Sequence, residues 1–210
     1  MNGRNKDIII DLTKALDTSF IPYSRGTYSD PPLEISEWST IRGDGFRVSR
    51  IALGSQSGTH IDAPAHFMEG GIVLDALPPD RFMGRFFPVN LTPAPSLSEI
   101  SMSLAAYGGE DILFLRTPKN QSTRLPREAV MRILSLPADV LALSGHIVIE
   151  PSDPLEFHRM VARSAKFLVE DLDEEAAHRA AGHGEMFIFP LRVLGVSGAP
   201  CRVLVRMPGA

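Results

Sequence analysis

With 210 residues, 44% of them hydrophobic and 22% charged, the chain has apolar side chains enough for one well-buried core, and a single domain over residues 1–210 is expected. Its net charge of −4 gives no electrostatic pull toward nucleic acid, and no apolar run approaches the ~20 residues that cross a membrane. One cysteine, Cys201, excludes an internal disulfide, the polar N-terminus Met1–Asp7 does not read as a signal peptide, and the expected setting is cytoplasmic.

Ile8–Thr13 is a short apolar run of strand type. From there to about Gly43 no period is sustained, and Pro22, Pro31 and Pro32 mark a long loop. The loop carries Phe20, Tyr23, Tyr28 and Trp38, rings expected either to pin it to the core or to form a wall over a substrate. Phe46–Leu53 alternates as a strand, and Phe86–Leu91 and Asp111–Arg116 read as two more. A short helix is predicted over Ser96–Tyr107, and another after Pro126, over Arg127–Leu134. Asp139–Leu143 is again strand-like. Asp153, Pro154 and Glu156 suggest a capped helix start, with the helix running through His158 to about Ser164. Lys166–Glu170 is a strand ending in Glu170, and Asp173–Ala181 a short helix closed by Gly182. Phe187–Val196 and Cys201–Met207 are two last strands, joined by a turn at Gly198-Ala-Pro200. Strands alternate irregularly with helices, so the expected class is α/β with a mixed sheet.

The chemistry gathers at Gln56–Phe67, where His60 and His66, two of six histidines, flank Asp62. A near-extended backbone from Gln56 to Asp62 turns Gln56, His60 and Asp62 to one side, with Gly58 leaving room between them. An imidazole and a carboxylate converging in this way suit a divalent metal such as zinc or manganese. His66, beyond Pro64, can face the same pocket without ligating, and beside a metal-activated water it serves as general base and then acid. That is the chemistry of amide or lactam hydrolysis on a small-molecule substrate.

Gly58-Thr-His-Ile-Asp-Ala-Pro-Ala-His-Phe67 resembles the signature His-x-Gly-Thr-His-x-Asp-x-Pro-x-His-Phe of the metal-dependent cyclase family, which includes kynurenine formamidase and isatin hydrolase. Ile9–Thr13, Leu113–Thr117 and Gly198–Arg202 are similar to further segments of that family, and His158 followed by Glu170 looks like its second ligand pair. The resemblance implies that His60 and Asp62 bind metal, with Asp62 able to bridge two ions. It implies that His158 and Glu170 complete the second position and that His66 is the acid/base. It also implies a swivelling β/β/α fold, hydrolysis of small cyclic or N-formyl amides with zinc or manganese, and assembly as a homodimer or homotetramer.

Two stretches depart from the family pattern. Its first signature histidine is Gln56 here, an amide that either ligates through its neutral oxygen or hydrogen-bonds the metal's water. That change leaves open one metal instead of two, a preference for manganese or magnesium, or a weak or silent ligand-binding protein that keeps the scaffold. Dehydration or ring closure with the same groups is a third reading. Ser144–Pro151 lacks the family's Gly-x-Asp-x-Pro-Ser pattern, which brings His146 and His183 forward as substitute ligands and Glu150 as a site residue. The more ordinary expectation is that both histidines are structural or surface groups, that His178 is solvated and that Cys201 is a packing residue.

Overall fold

A computed structural model describes residues 6–149, 151 and 153–209, so Met1–Asn5, Glu150, Ser152 and Ala210 lie outside the described part. The first half comprises β1 (Ile8–Asp11), β2 (Ser24–Arg25), β3 (Tyr28–Ser29), β4 (Glu34–Ser39), α1 (Ile41–Asp44), β5 (Val48–Ala52), β6 (His60–Asp62) and β7 (Met83–Asn90). After α2 (Leu97–Ser103) come β8 (Ile112–Arg116), β9 (Ser122–Arg124), α3 (Arg127–Leu134), β10 (Val140–Ser144) and β11 (His146–Val148). The chain ends with α4 (Glu156–Arg163), β12 (Phe167–Glu170), α5 (Glu174–Arg179), β13 (Gly184–Pro190) and β14 (Gly198–Met207).

The main sheet has eight strands in the order β1-β14-β13-β7-β8-β10-β12-β6, and β6 also pairs with β14, so the sheet closes on itself with β1 outside the ring. β7, β8, β10 and β12 run parallel, whereas β6, β13 and β14 meet their neighbours antiparallel. This is the mixed α/β architecture expected, closed into a barrel. Every residue of β8 and of β10 is buried, which is why each reads as an apolar run up to its last residue, Arg116 or Ser144. Alternate residues serve two cores. Ile112 and Phe114 face inward with Ile61, Val140, Val169 and Val203. Leu113 and Leu115 face outward onto Ile100, Val130, Ile133 and Phe157 from the helices. Among the described residues no helix is long and apolar enough to cross a membrane.

Several local readings need correction. The stretch read as a loop to Gly43 contains β4, which pairs with β5 as a two-stranded ribbon, and the small β2–β3 hairpin. All of β4 except Ser39 is exposed, so no alternation of burial was imprinted on its sequence. Three of its four rings do not pin it to the core, for Trp38 is 75% exposed and Tyr23 and Tyr28 are exposed as well, while Phe20 is half-buried. Gly198-Ala-Pro200 is no turn but the start of β14, opposite β6. Pro200 fits there because it stands where that edge of β14 passes from β6 toward β1, and the next amide, that of Cys201, donates to the Thr59 carbonyl. Asp153 does not cap α4. It accepts from the Leu155 amide in a tight turn, and Glu156 pairs with Arg127 and Arg163 instead of closing a capping box.

Candidate metal centre

The site forms where the barrel closes. β6 has only three residues, yet it is hydrogen-bonded on both sides, and this register places His60 directly opposite Glu170 at the end of β12. On its other side Asp62 stands opposite Gly198 of β14. The Thr59 hydroxyl donates to the Asp171 carbonyl at 2.7 Å and accepts from the Lys14 amide at 3.0 Å, fixing the entry to β6 against the residue after Glu170. Asp171 takes a left-handed φ of 57°, turning the chain sharply once Glu170 has been delivered. His158 arrives from the first turns of α4, its ring 5.5 Å from that of Phe67.

His60 Nε2 lies 3.6 Å from Asp62 Oδ1 and 3.3 Å from Glu170 Oε1, and His158 Nε2 lies 2.9 Å from Glu170 Oε2. One atom each from His60, Asp62 and Glu170 fall within 4.8 Å of one another. His60 Nδ1 stands 2.7 Å from the Gly58 carbonyl, which only accepts, so Nδ1 carries a proton and Nε2 is the nitrogen turned to the cluster. His60 and Asp62 are 6% and 4% exposed. Burial alone lowers the pKa of His60, but Glu170 and Asp62 outweigh it and raise it to about 9. Burial pushes Asp62 up, whereas the two imidazoles hold Glu170 well below the usual carboxylate range against the effect of its own burial. Asp62 Oδ2 and His158 Nδ1 are buried without a hydrogen-bond partner. A buried carboxylate oxygen left unpaired is costly unless a cation meets it.

The structure thus brings His60, Asp62, His158 and Glu170 into one cluster, with the Glu170 carboxylate spanning both imidazoles. Gln56 also reaches it, with Nε2 3.4 Å from Asp62 Oδ1. It does so by another route than the one expected: the strand begins only at His60, and Gly58 is left-handed at φ 61°, so no extended run links residues 56 to 62. Gly58 supplies its carbonyl to His60 rather than empty space, and a Cβ there would strike Leu16. His66 lies exposed in the turn Pro64–His66, near enough for its charge to act on Asp62. His146 is exposed on β11 against β9. His183 is exposed beside Phe87, at the end of the sheet where β7 and β8 begin, in a groove shared with Arg85, Glu110 and Arg206. Neither histidine joins the cluster. Ser55, Thr59 and Gly198 support it and were missed. Thr59 lies within the signature itself, but nothing in the sequence announces that Ser55 and Gly198 meet Gln56.

A family model named Cyclase matches residues 10–141. The chain is 24% identical to kynurenine formamidase from Maricaulis maris (strain MCS10), over 80% of this chain and 85% of that one. Isatin hydrolase A from Labrenzia aggregata, solved bound to benzyl benzoate, is similar with a TM-score of 0.80 at 17% identity, covering 96% of this chain and 94% of that chain. The solved structure of a "potential metal-dependent hydrolase with cyclase activity" gives 0.72 at 18% identity, covering 96% and 98%. At these identities the two structural likenesses show a shared fold.

Proposed function

The chain belongs to the cyclase family, and on that premise we propose that it is a metal-dependent hydrolase that cleaves a carbon–nitrogen bond of a small amide, an N-formyl arylamine or a lactam. The observation that carries this reading is the buried, unpaired Asp62 Oδ2 set among His60, Glu170 and His158. These residues fit a divalent ion such as zinc or manganese: two carboxylates match its charge, and His60 turns toward them Nε2, the nitrogen that ligates once a metal displaces its proton. His60, Asp62 and Glu170 would hold it, with His158 completing the set through Glu170. Bound there, such an ion polarises a carbonyl and makes water acidic near neutral pH.

The chain's own residues supply the rest. The Gly58 carbonyl keeps His60 in one tautomer, and Thr59 anchors β6 against the turn after Glu170, so both ligand-bearing strand ends are fixed before substrate arrives. To His66, exposed four residues beyond Asp62, we assign the general base and acid role: it would take a proton from the attacking water and return it to the leaving nitrogen. The exposed apolar face of the β4–β5 ribbon supports a further proposal, that the working form is a homodimer or homotetramer.

The test joins elemental analysis of the purified protein to a screen of formyl-arylamines and lactams for hydrolysis that stops on chelation. His66→Ala is expected to lose turnover by about 10²–10⁴-fold while keeping its metal. Full hydrolase activity in metal-free protein would overturn the proposal.

A further inference from the structure

Gln56 is held at both ends of its amide. Ser55 Oγ donates to Gln56 Oε1, and Gln56 Nε2 donates to Asp62 Oδ1 at 3.4 Å. The opposite orientation of the amide would set its oxygen against a carboxylate oxygen, so the network itself fixes which end faces Asp62. The amide oxygen, the one ligating atom Gln56 has, is therefore turned to Ser55 and away from the cluster. Space for this contact comes from β14: a Cβ on Gly198 would lie 2.6 Å from Gln56 Nε2 and 3.2 Å from Asp62 Oδ1. Of the two Asp62 oxygens, Oδ1 is taken by the amide and Oδ2 alone is left without a partner.

Donor counting then limits what the site holds. His60, Asp62 and Glu170, one ligand atom each, are the three protein donors that a catalytic ion with an open position uses. A second ion beside Asp62 would need a further donor on the Gln56 side, and there the amide presents its Nε2, which cannot ligate, while its oxygen is turned to Ser55.

We propose that this chain binds a single divalent ion, at His60, Asp62 and Glu170, and that Gln56 is a positioning residue whose amide clamps Asp62 through Oδ1. The inference rests on the hydrolase reading above.

The experiment is metal titration of the chelator-stripped, full-length protein with manganese or zinc ions, read by calorimetry and by elemental analysis after desalting. One ion per chain is the expected result. Two ions per chain would overturn this inference and leave the hydrolase reading intact, whereas none would sink both. Gln56→Ala is expected to keep one ion but bind it about 10–100-fold more weakly, as loss of a group that orients a ligand does. Unchanged affinity would remove the positioning role. Gln56→His frees Asp62 Oδ1 and adds an imidazole, so the stoichiometry is expected to rise toward two, and a variant still at one would show that Gln56 is not what sets the count. Cobalt loading gives an independent readout: its visible absorption is expected to change intensity and position between wild type and Gln56→His, and identical spectra would count against a role for residue 56 at the ion.

Discussion

Cys201 shows how position sets the chemistry of a side chain. It stands in β14 opposite Pro190, 5% exposed, and burial pushes its thiol up to about 12. The thiolate is the reacting species, so at about pH 8 the folded protein is expected to leave a thiol reagent unconsumed, with one equivalent taken up after denaturation. Rapid labelling of native protein would mean that β14 opens beside the site. The same dependence on surroundings decides how much of the centre was legible. His60, Asp62, His158 and Glu170 could be named from spacing and resemblance, because residue type alone makes them candidates. What Gln56 does could not, since its amide is oriented by Ser55 next to it and by the empty position at Gly198 on a distant strand. A contact made by a missing side chain leaves no mark in local sequence.

The elements divide in the same way. β8 and β10 were legible because both faces are buried, and α2 begins where the helix was read, at Ser96, whose side chain closes a capping box with Glu99. β6 was not legible as a strand: three residues carry no period, and its extended form comes from β12 and β14 on either side. That makes it the seam of the barrel, and two of its three residues belong to the metal cluster. An ion at His60, Asp62 and Glu170 would staple β6 to β12 across this seam. Saturating stripped protein with manganese or zinc at 100 times Kd adds about 2.7 kcal/mol, or about 5–10 °C in Tm for a chain of this size. Amide hydrogen exchange is expected to slow at residues 58–63 and 168–172 while β8, buried on both faces, stays as protected as before. Equal slowing everywhere, or none at the seam, would separate the ion from the closure of the sheet.

At the scale of the whole molecule, the β4–β5 ribbon is the part that its own core does not explain. A two-stranded hairpin is marginal in water by itself, and this one turns apolar groups outward: Ile35 stands opposite Ile51 on one face, with Trp38 at the irregular position between Glu37 and Ser39. The other face is polar, with Glu34 and Arg50 paired at 3.4 Å. Exposed Ile35, Ile51 and Trp38 on one short ribbon, bordered by the Glu37–Arg47 pair, are the pattern of an apolar patch with a polar rim that another surface covers. A second copy of the chain offers the same ribbon, and a two-fold pairing of ribbons would bury Ile35, Ile51 and Trp38 on both copies at once. The ribbon also leads through Ala52 into the segment that ends at Gln56, so assembly and the site share one stretch of backbone. Light scattering after gel filtration is therefore expected to give twice or four times the monomer mass. Ile51→Glu combined with Trp38→Glu places like charges in the pairing and is expected to yield monomers that keep the far-ultraviolet circular dichroism of the barrel, since neither side chain enters its core. A monomeric wild type would refute the assembly. An unchanged oligomer in the double variant would instead move the interface off the ribbon, toward the other exposed apolar stretch at Phe189, Leu191 and Leu194.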